Sequence, residues 1–323
     1  LLMGAWRSGT QKQYKVYLQR WIAFCTRREA DPYQANIGLV LDFLTDLFDQ
    51  GKSYSCINTA RSALSSLIVL QSGQTIGNHP LVVKLLKSVY NQRPTVPRYE
   101  DIWDVSKVLA YVRTLSPVKS LSLRDLSYKL VMLIALVAAP RLQTMYLLHL
   151  SNMVTGKSSY TFNFSEPLKQ SRQGYKTPCV KLCAYPVDKR LCVVNTLREY
   201  LKRTDSVRTS EDKLFVSFVK PHKAVTTDTI GRWIKAVMSN AGIDTDKFKA
   251  HSVRAAACSK AKTNCVPVEH ILWTAGWSSS CTFAKNTIIR LLFKILHFQM
   301  LYCQLKSMFN KCTPTVSYVN FWI

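Results

Sequence analysis

The segment KAHSVRAA sets His251 and Arg254 three residues apart at an expected helix start, which lays both side chains on one face. An imidazole beside a guanidinium at a helix N-terminus suits phosphate chemistry, because backbone N–H groups and fixed cations point the same way. A scissile phosphodiester needs two cations on its non-bridging oxygens, where negative charge builds in the transition state. Arg141 offers the second cation: it stands between the apolar stretches LVMLIALVAAPR and LQTMYLLHLSNM, at the end of an element that reads as buried. An arginine in such a place wants an anionic partner. Lys169 lies on a basic loop and Trp277 follows Ala275 and Gly276, some twenty residues past Arg254. Each residue has a plainer reading beside this one. His251 and Arg254 also fit a surface pair or a helix cap, Arg141 a cap on helix carbonyls, and Trp277 a core position. Lys176 shares the loop with Lys169 and reaches toward the same place.

These side chains must be held by helices. Over residues 11–28, Tyr14, Leu18, Trp21, Ile22 and Cys25 recur at intervals of three and four, which predicts an amphipathic helix with a basic outer face. The same period returns in Ile37, Val40, Leu41, Leu44, Leu47 and Phe48, then in Ile57, Ala60, Leu64, Leu67 and Ile68. A fourth helix opens at His79 and Pro80, with Leu81, Leu85, Leu86 and Val89 expected inward. Residues 1–90 therefore read as a small helical domain. Residues 91–104 hold two prolines and no helical period, which marks a linker.

Beyond the linker, helices are expected over residues 105–115 and 123–138. Alternation of Tyr160, Phe162 and Phe164 with Thr161 and Asn163 predicts a half-buried strand. A loop over residues 169–177 and a second short strand over 179–182 complete a small basic hairpin. Further helices are expected over 191–202, over 227–241 with Gly242 as the stop, over 251–262, and over 267–274 with Gly276 after it.

The balance of 44 Lys+Arg against 19 Asp+Glu leaves a formal charge of +25, which calls for a polyanionic partner. With 47% hydrophobic residues the chain can still build packed cores, so wholesale disorder is excluded. The ten cysteines are scattered, and none are paired at the two-residue spacing of a zinc knuckle. Reduced thiols of a cytosolic or nuclear protein are the expectation. The chain opens Leu1, Leu2, Met3 without an apolar signal run, so secretion is not expected. The late apolar stretch over 288–305 is interrupted by Arg290, Lys294 and His297 at helical spacing, which argues against a membrane span. From His270 onward there is no Asp or Glu, and residues 286–323 form a divergent basic and apolar tail.

An arginine, a hairpin lysine, His-x-x-Arg and Gly-Trp, in that order, on a helical domain that follows a four-helix domain, are far more specific together than any one alone. At this point the chain resembles the tyrosine recombinases, the integrase-type DNA strand-transfer enzymes, and in particular those of DIRS-like retrotransposons. The resemblance runs from about Trp6 to Lys285. It rests on WRSGTQKQYKVYLQRWIAFC, LVAAPRLQTMYLLHLSNM, AYPVDKRLCVVNTLREYL, LFVSFVKPHKAVTTDTIGRWIKAVMSNAGID, FKAHSVRAAACSKA and ILWTAGWSSSCTFAK. It implies a mainly α fold: a SAM-like four-helix core-binding domain, then over residues 105–285 a mostly helical catalytic domain with a small β-sheet. It implies that Arg141 and Arg254 hold the scissile phosphate, that Lys169 protonates the leaving 5′-oxygen and that His251 assists proton transfer. Trp277 matches the family's His/Trp position. Double-stranded DNA is the implied partner, with a homo-tetramer on DNA, no metal, no cofactor and no membrane. Lys12, Lys15, Arg20, Lys176, Arg232 and Lys249 are the further candidate DNA contacts, and the nucleus the expected location.

One departure is serious. After Phe283, Ala284 and Lys285 the family continues with an aromatic residue and the nucleophilic tyrosine, whereas here Asn286 and Thr287 follow. A threonine hydroxyl is a poor replacement for a phenol, and the nearest later tyrosine is Tyr302 in the tail. Two outcomes are open: a strand-transferase whose nucleophile comes from elsewhere, or a DNA-binding remnant or frame-disrupted chain that cannot cleave. A generic basic RNA-binding or chromatin module ranks last, because the aromatics sit at core-like periodic positions and form no stacking platform.

Only four of the 44 basic residues, Arg290, Lys294, Lys306 and Lys311, fall after Lys285. Ending the chain at Lys285 is therefore expected to leave duplex-DNA affinity nearly unchanged in a gel-shift titration; a large loss would assign the DNA contacts to the tail.

Overall fold

In a computed structural model of the chain, residues 6–277 and Phe283 are described, except for 71, 72, 97, 100, 172, 175–178 and 209. The chain divides into two compact units at Arg98 and Tyr99.

The first unit contains α1 (Ser8–Arg27), α2 (Ile37–Asp49), α3 (Tyr54–Ser65) and α4 (Pro80–Gln92). Side chains set three of the starts: Asn36, Ser53 and His79 accept from the backbone N–H groups of Leu39, Cys56 and Leu81. The core is built on Trp21, Phe24 and Phe43, with the Phe43 ring edge-on to the other two at 5.2 and 5.3 Å. The inward faces differ in detail from the periodic reading. Ile22, Leu67 and Leu81 are exposed, while Phe24 and Val82 are buried. In α4 the buried stripe runs through Val82, Leu86 and Val89, one turn apart each time, and Leu81 beside it faces water. After α4, Arg93 returns to α2, donating to the carbonyls of Phe48 and Lys52 with its guanidinium over the Phe48 ring.

The second unit is organised around one helix. α5 (Val105–Thr114) precedes α6 (Leu123–Val137), α7 (Leu142–Tyr146), the strands β1 (Met153–Thr155), β2 (Ser159–Phe162) and β3 (Val180–Cys183), and then α8 (Val193–Asp205), α9 (Thr227–Asn240), α10 (Ser252–Thr263) and α11 (Val268–Ala275). From Leu130 to Val137 α6 is apolar on every side, with Leu130, Val131, Met132, Leu133 and Ile134 all buried, and α8, α9 and α10 pack around it. A helix that is hydrophobic all round belongs in the middle of a core.

The sheet is antiparallel in the order β1-β2-β3, with Met153 opposite Phe162 and Phe162 opposite Val180. Tyr160 and Phe162 point inward as their alternation requires. β2 ends before Phe164, and β1 is a third strand that alternation could not reveal, since two of its three residues are exposed on a sheet edge. The linker reading over 91–104 also divides: α4 runs to Gln92, and residues 99–104 pack with the second unit. Among the described residues no helix is long and apolar enough to cross a membrane.

Lys129 is the one cation on α6 that is fully sealed from solvent. Its ammonium donates to the Val112 and Leu115 carbonyls and to Ser116 Oγ, closing the C-terminal end of α5. Burial pushes its pKa down to about 8. Between that value and the ordinary 10.5, the unfolded chain binds a proton that the folded chain does not, so stability rises with pH across this window and is flat in this group below it. Relative to Lys129→Met, the wild type is expected to gain about 2 kcal/mol from pH 8 to 10 in denaturant titrations. A constant difference between the two proteins would refute the buried-charge assignment.

Candidate phosphate site

The site forms where α6 gives way to α7 and the C-terminal end of α11 arrives from the other side. Ala139 leaves α6 at a φ of +41°, a left-handed conformation that costs a non-glycine residue about 1–2 kcal/mol. The turn aims its carbonyl at Arg254 and brings Arg141 to the start of α7 after Pro140. Arg254 comes from the first turn of α10 and is 4% exposed. One of its nitrogens, Nη1, donates to the carbonyls of both Ala139 and Ala275. Arg141 donates at 3.0 Å to the carbonyl of Gly276 and at 3.0 Å to Gln170 Oε1.

Both arginines are thus held by the last carbonyls of α11, the negative end of its dipole. That end is shaped by Gly276. At a φ of +64° it lets its own N–H reach the Trp273 carbonyl and the N–H of Trp277 reach Leu272. The chain reverses so that the Trp277 ring covers the Arg254 guanidinium at 4.4 Å, with Phe283 edge-on behind it at 6.0 Å.

The electrostatics are those of an anion site. Burial and the nearby Arg141 charge bring Arg254 down to about 10. Among the described residues no carboxylate pairs with Arg254, and its Nη2 is buried without a hydrogen-bond partner. The Trp277 indole N–H is buried too, and it meets only the Cys258 thiol, a weak acceptor that burial pushes up to about 11 and so keeps neutral. An unpartnered guanidinium N–H and a weakly satisfied indole N–H beside two converging cations are groups that an oxyanion would satisfy.

The other expected residues fall around this centre to differing degrees. His251, exposed at the start of α10, lines a small hollow together with Arg254, Pro140 and Leu142. Lys169 is exposed and is followed by Gln170, the partner of Arg141, so the β2–β3 connection is tied to the site by the next residue along. Gln170 had no signal in the sequence, being a lone amide in an irregular loop. Arg141 fits its plainer reading in donating to the Gly276 carbonyl at the end of α11, and it also lies beside Arg254. Lys12, Lys15 and Arg20 are exposed on α1, and Arg232 is exposed on α9, bonded to Thr229. Lys249 is half-buried with its ammonium on the Thr245 carbonyl. Lys176, Thr287 and Tyr302 lie outside the described residues. Among the described residues no group of three or more His, Cys, Asp or Glu could hold a metal ion.

The fold has solved counterparts. The chain is similar to XerH site-specific recombinase in a post-cleavage complex with its palindromic difH substrate, at 16% identity over 90% of this chain and 78% of that one, with a TM-score of 0.60. It is similar to the Tn1549 transposon integrase in complex with transposon right end DNA, at 12% identity over 82% of this chain and 86% of that one, TM-score 0.54. A lambda integrase dimer bound to a COC′ core site gives 15% identity over 87% and 72%, TM-score 0.52. The chain has the tyrosine recombinase fold. No family model and no curated protein matches it by sequence.

Inorganic phosphate is expected to stabilise the protein beyond chloride at equal ionic strength, by about 1.4 kcal/mol at ten times its Kd. General salting effects act on any variant alike. The increment specific to the site should therefore vanish in Arg141→Met, and an unchanged thermal shift in that variant would remove the anion assignment.

Proposed function

We propose that the chain is a DNA-binding protein of the tyrosine recombinase class, in particular of the DIRS-like kind, that serves strand exchange or integration of a mobile element. The observation that carries the reading is the buried Arg254 with the half-buried Arg141 beside it: both donate to carbonyls at the end of α11, and Arg254 Nη2 is left over as a donor. The +25 charge and the likeness in fold to recombinases bound to DNA support it.

In this reading a backbone phosphodiester enters with its non-bridging oxygens on Arg141, Arg254 and the Trp277 N–H. Guanidinium is the suitable group because it stays charged at any working pH and binds oxyanions through two N–H bonds at once. Lys169 on its exposed loop is the general acid for the leaving 5′-oxygen, and His251 assists proton transfer. In such enzymes a tyrosine attacks phosphorus, the 5′-oxygen leaves, and a 3′-phosphotyrosine conserves the bond for religation. Copies of the chain assemble on duplex DNA, as lambda integrase does as a dimer. The second reading is a DNA-binding remnant that holds phosphate and does not cleave; the observation favouring it is Thr287 at the nucleophile position.

Duplex binding should weaken steeply with salt. If both arginines contact phosphate, Arg141→Ala/Arg254→Ala reduces the slope of log K against log salt by about 1.8, two contacts at about 0.9 each. An unchanged slope overturns the clamp. A detergent-resistant protein–DNA adduct on a nicked duplex assigns strand transfer; its absence with the slope change intact assigns the remnant.

A further inference from the structure

The phosphate-site residues His251 and Arg254 sit on a turn, residues 249–254, whose own backbone bonds into α10 are short-range. Ser252, Val253 and Arg254 donate to the carbonyls of Lys249, Ala250 and His251. Such a turn does not by itself fix the direction of its side chains. A separate segment at the start of the second unit, Tyr99 and residues 101–104, bonds to the turn at Lys249 and Ser252 and to Lys247 and Phe248 just before it. Trp103 is 6% exposed, and its indole N–H donates at 2.9 Å to the hydroxyl of Ser252, itself 5% exposed. The Tyr99 hydroxyl accepts from the Lys249 N–H at 3.2 Å while its ring lies 5.6 Å from that of Phe248. Asp101 pairs with Lys247 at 3.2 Å. Asp104 then caps α5 through the Ser106 N–H and faces Lys260 on α10.

We propose that residues 99–104 are a strap that positions the phosphate site, with Trp103 and Ser252 as positioning residues for His251 and Arg254. The inference rests on the phosphate reading of that site and names what holds it in place. The three surface and backbone contacts locate the strap along the turn, and the Trp103–Ser252 bond sets the turn's rotation. Ser252 stands between the two functional side chains, next to His251 and two residues before Arg254. The hydroxyl is the only polar atom of Ser252's side chain and is buried, so the bond has no ready substitute from water. A rotation that frees Ser252 from Trp103 turns His251 away from the hollow it shares with Arg254. Groups acting through another in this way commonly matter as much as the contacts themselves.

The test uses the full chain with 13C-labelled histidine, its six histidines resolved by NMR and His251 assigned through His251→Gln. Inorganic phosphate is the probe. Trp103→Phe and Ser252→Ala are each expected to move the His251 ring resonance and to weaken phosphate binding about fivefold. Ser252→Thr, which keeps a hydroxyl, should restore both. The double variant should be no worse than either single one, because both remove the same bond. If the His251 resonance stays in place in both single variants, the strap is overturned. Should Trp103→Phe fail to fold, the Ser252→Ala and Ser252→Thr pair decides by itself. A wild type that binds no phosphate would sink the phosphate reading, and the His251 resonance would still judge the strap.

Discussion

The candidate site depends on keeping a guanidinium charged where almost no water reaches it. Moving an unpaired cation into a protein interior costs several kcal/mol even after the surroundings relax. Arg254 is held at that cost by helix geometry rather than by a carboxylate: α11 ends against it, and the Ala275 and Ala139 carbonyls accept from one of its nitrogens. Everything nearby serves this arrangement. The apolar second half of α6 supplies the centre, Ala139 accepts a left-handed backbone to turn its carbonyl, and Gly276 reverses the chain so that Trp277 lies over the cation. Replacing any of these changes where the charge sits.

This explains a division of labour in the site. Both arginines donate to carbonyls, and a guanidinium is suited to supplying a preorganised field rather than a proton. The residues able to carry a proton, Lys169 and His251, are both exposed and lie on a loop and a turn. A group that must give or take a proton needs contact with solvent or a reacting oxygen, whereas one that stabilises charge works best where the dielectric is low. Gln170 bridges the two classes, since it adjoins Lys169 and bonds Arg141.

How legible this was in the sequence follows from the range of each interaction. Helical period specifies α1 to α4 and the buried character of α6, because those signals repeat every three or four residues. The His-x-x-Arg spacing and the Gly276 stop are local too, and both survive in the structure as the first turn of α10 and the left-handed end of α11. Tertiary packing decides the rest. Which of Ile22 or Phe24 faces the core depends on where Phe43 arrives, and β1 is too short and too exposed to alternate. The partnership of Arg141 with Gly276, across 135 positions, and of Trp103 with Ser252, across 149, leaves no periodic trace at all. An aromatic in a proline-rich linker reads as punctuation until the turn it holds is seen.

The same energetics bear on the proposed remnant reading, in which Thr287 stands at the nucleophile position that the resemblance implies. Surface lysines and arginines suffice for salt-dependent attraction to a polyanion, and they remain solvated at little cost. A buried cation adds nothing to that long-range attraction that an exposed one would not. For the fold alone, an apolar side chain of similar length at position 254 would remove a desolvation cost and leave two carbonyls to find other partners. On the phosphate reading, what Arg254 and Arg141 supply together is a grip on a single oxyanion from two directions, with the Arg254 Nη2 inside. Such a grip would serve chemistry or the registering of a duplex at one bond rather than affinity in general. On that reading the identity of the nucleophile and the integrity of the clamp are separate questions, and the described core bears on the clamp alone, through Arg254 buried beside Arg141 with one N–H unpartnered.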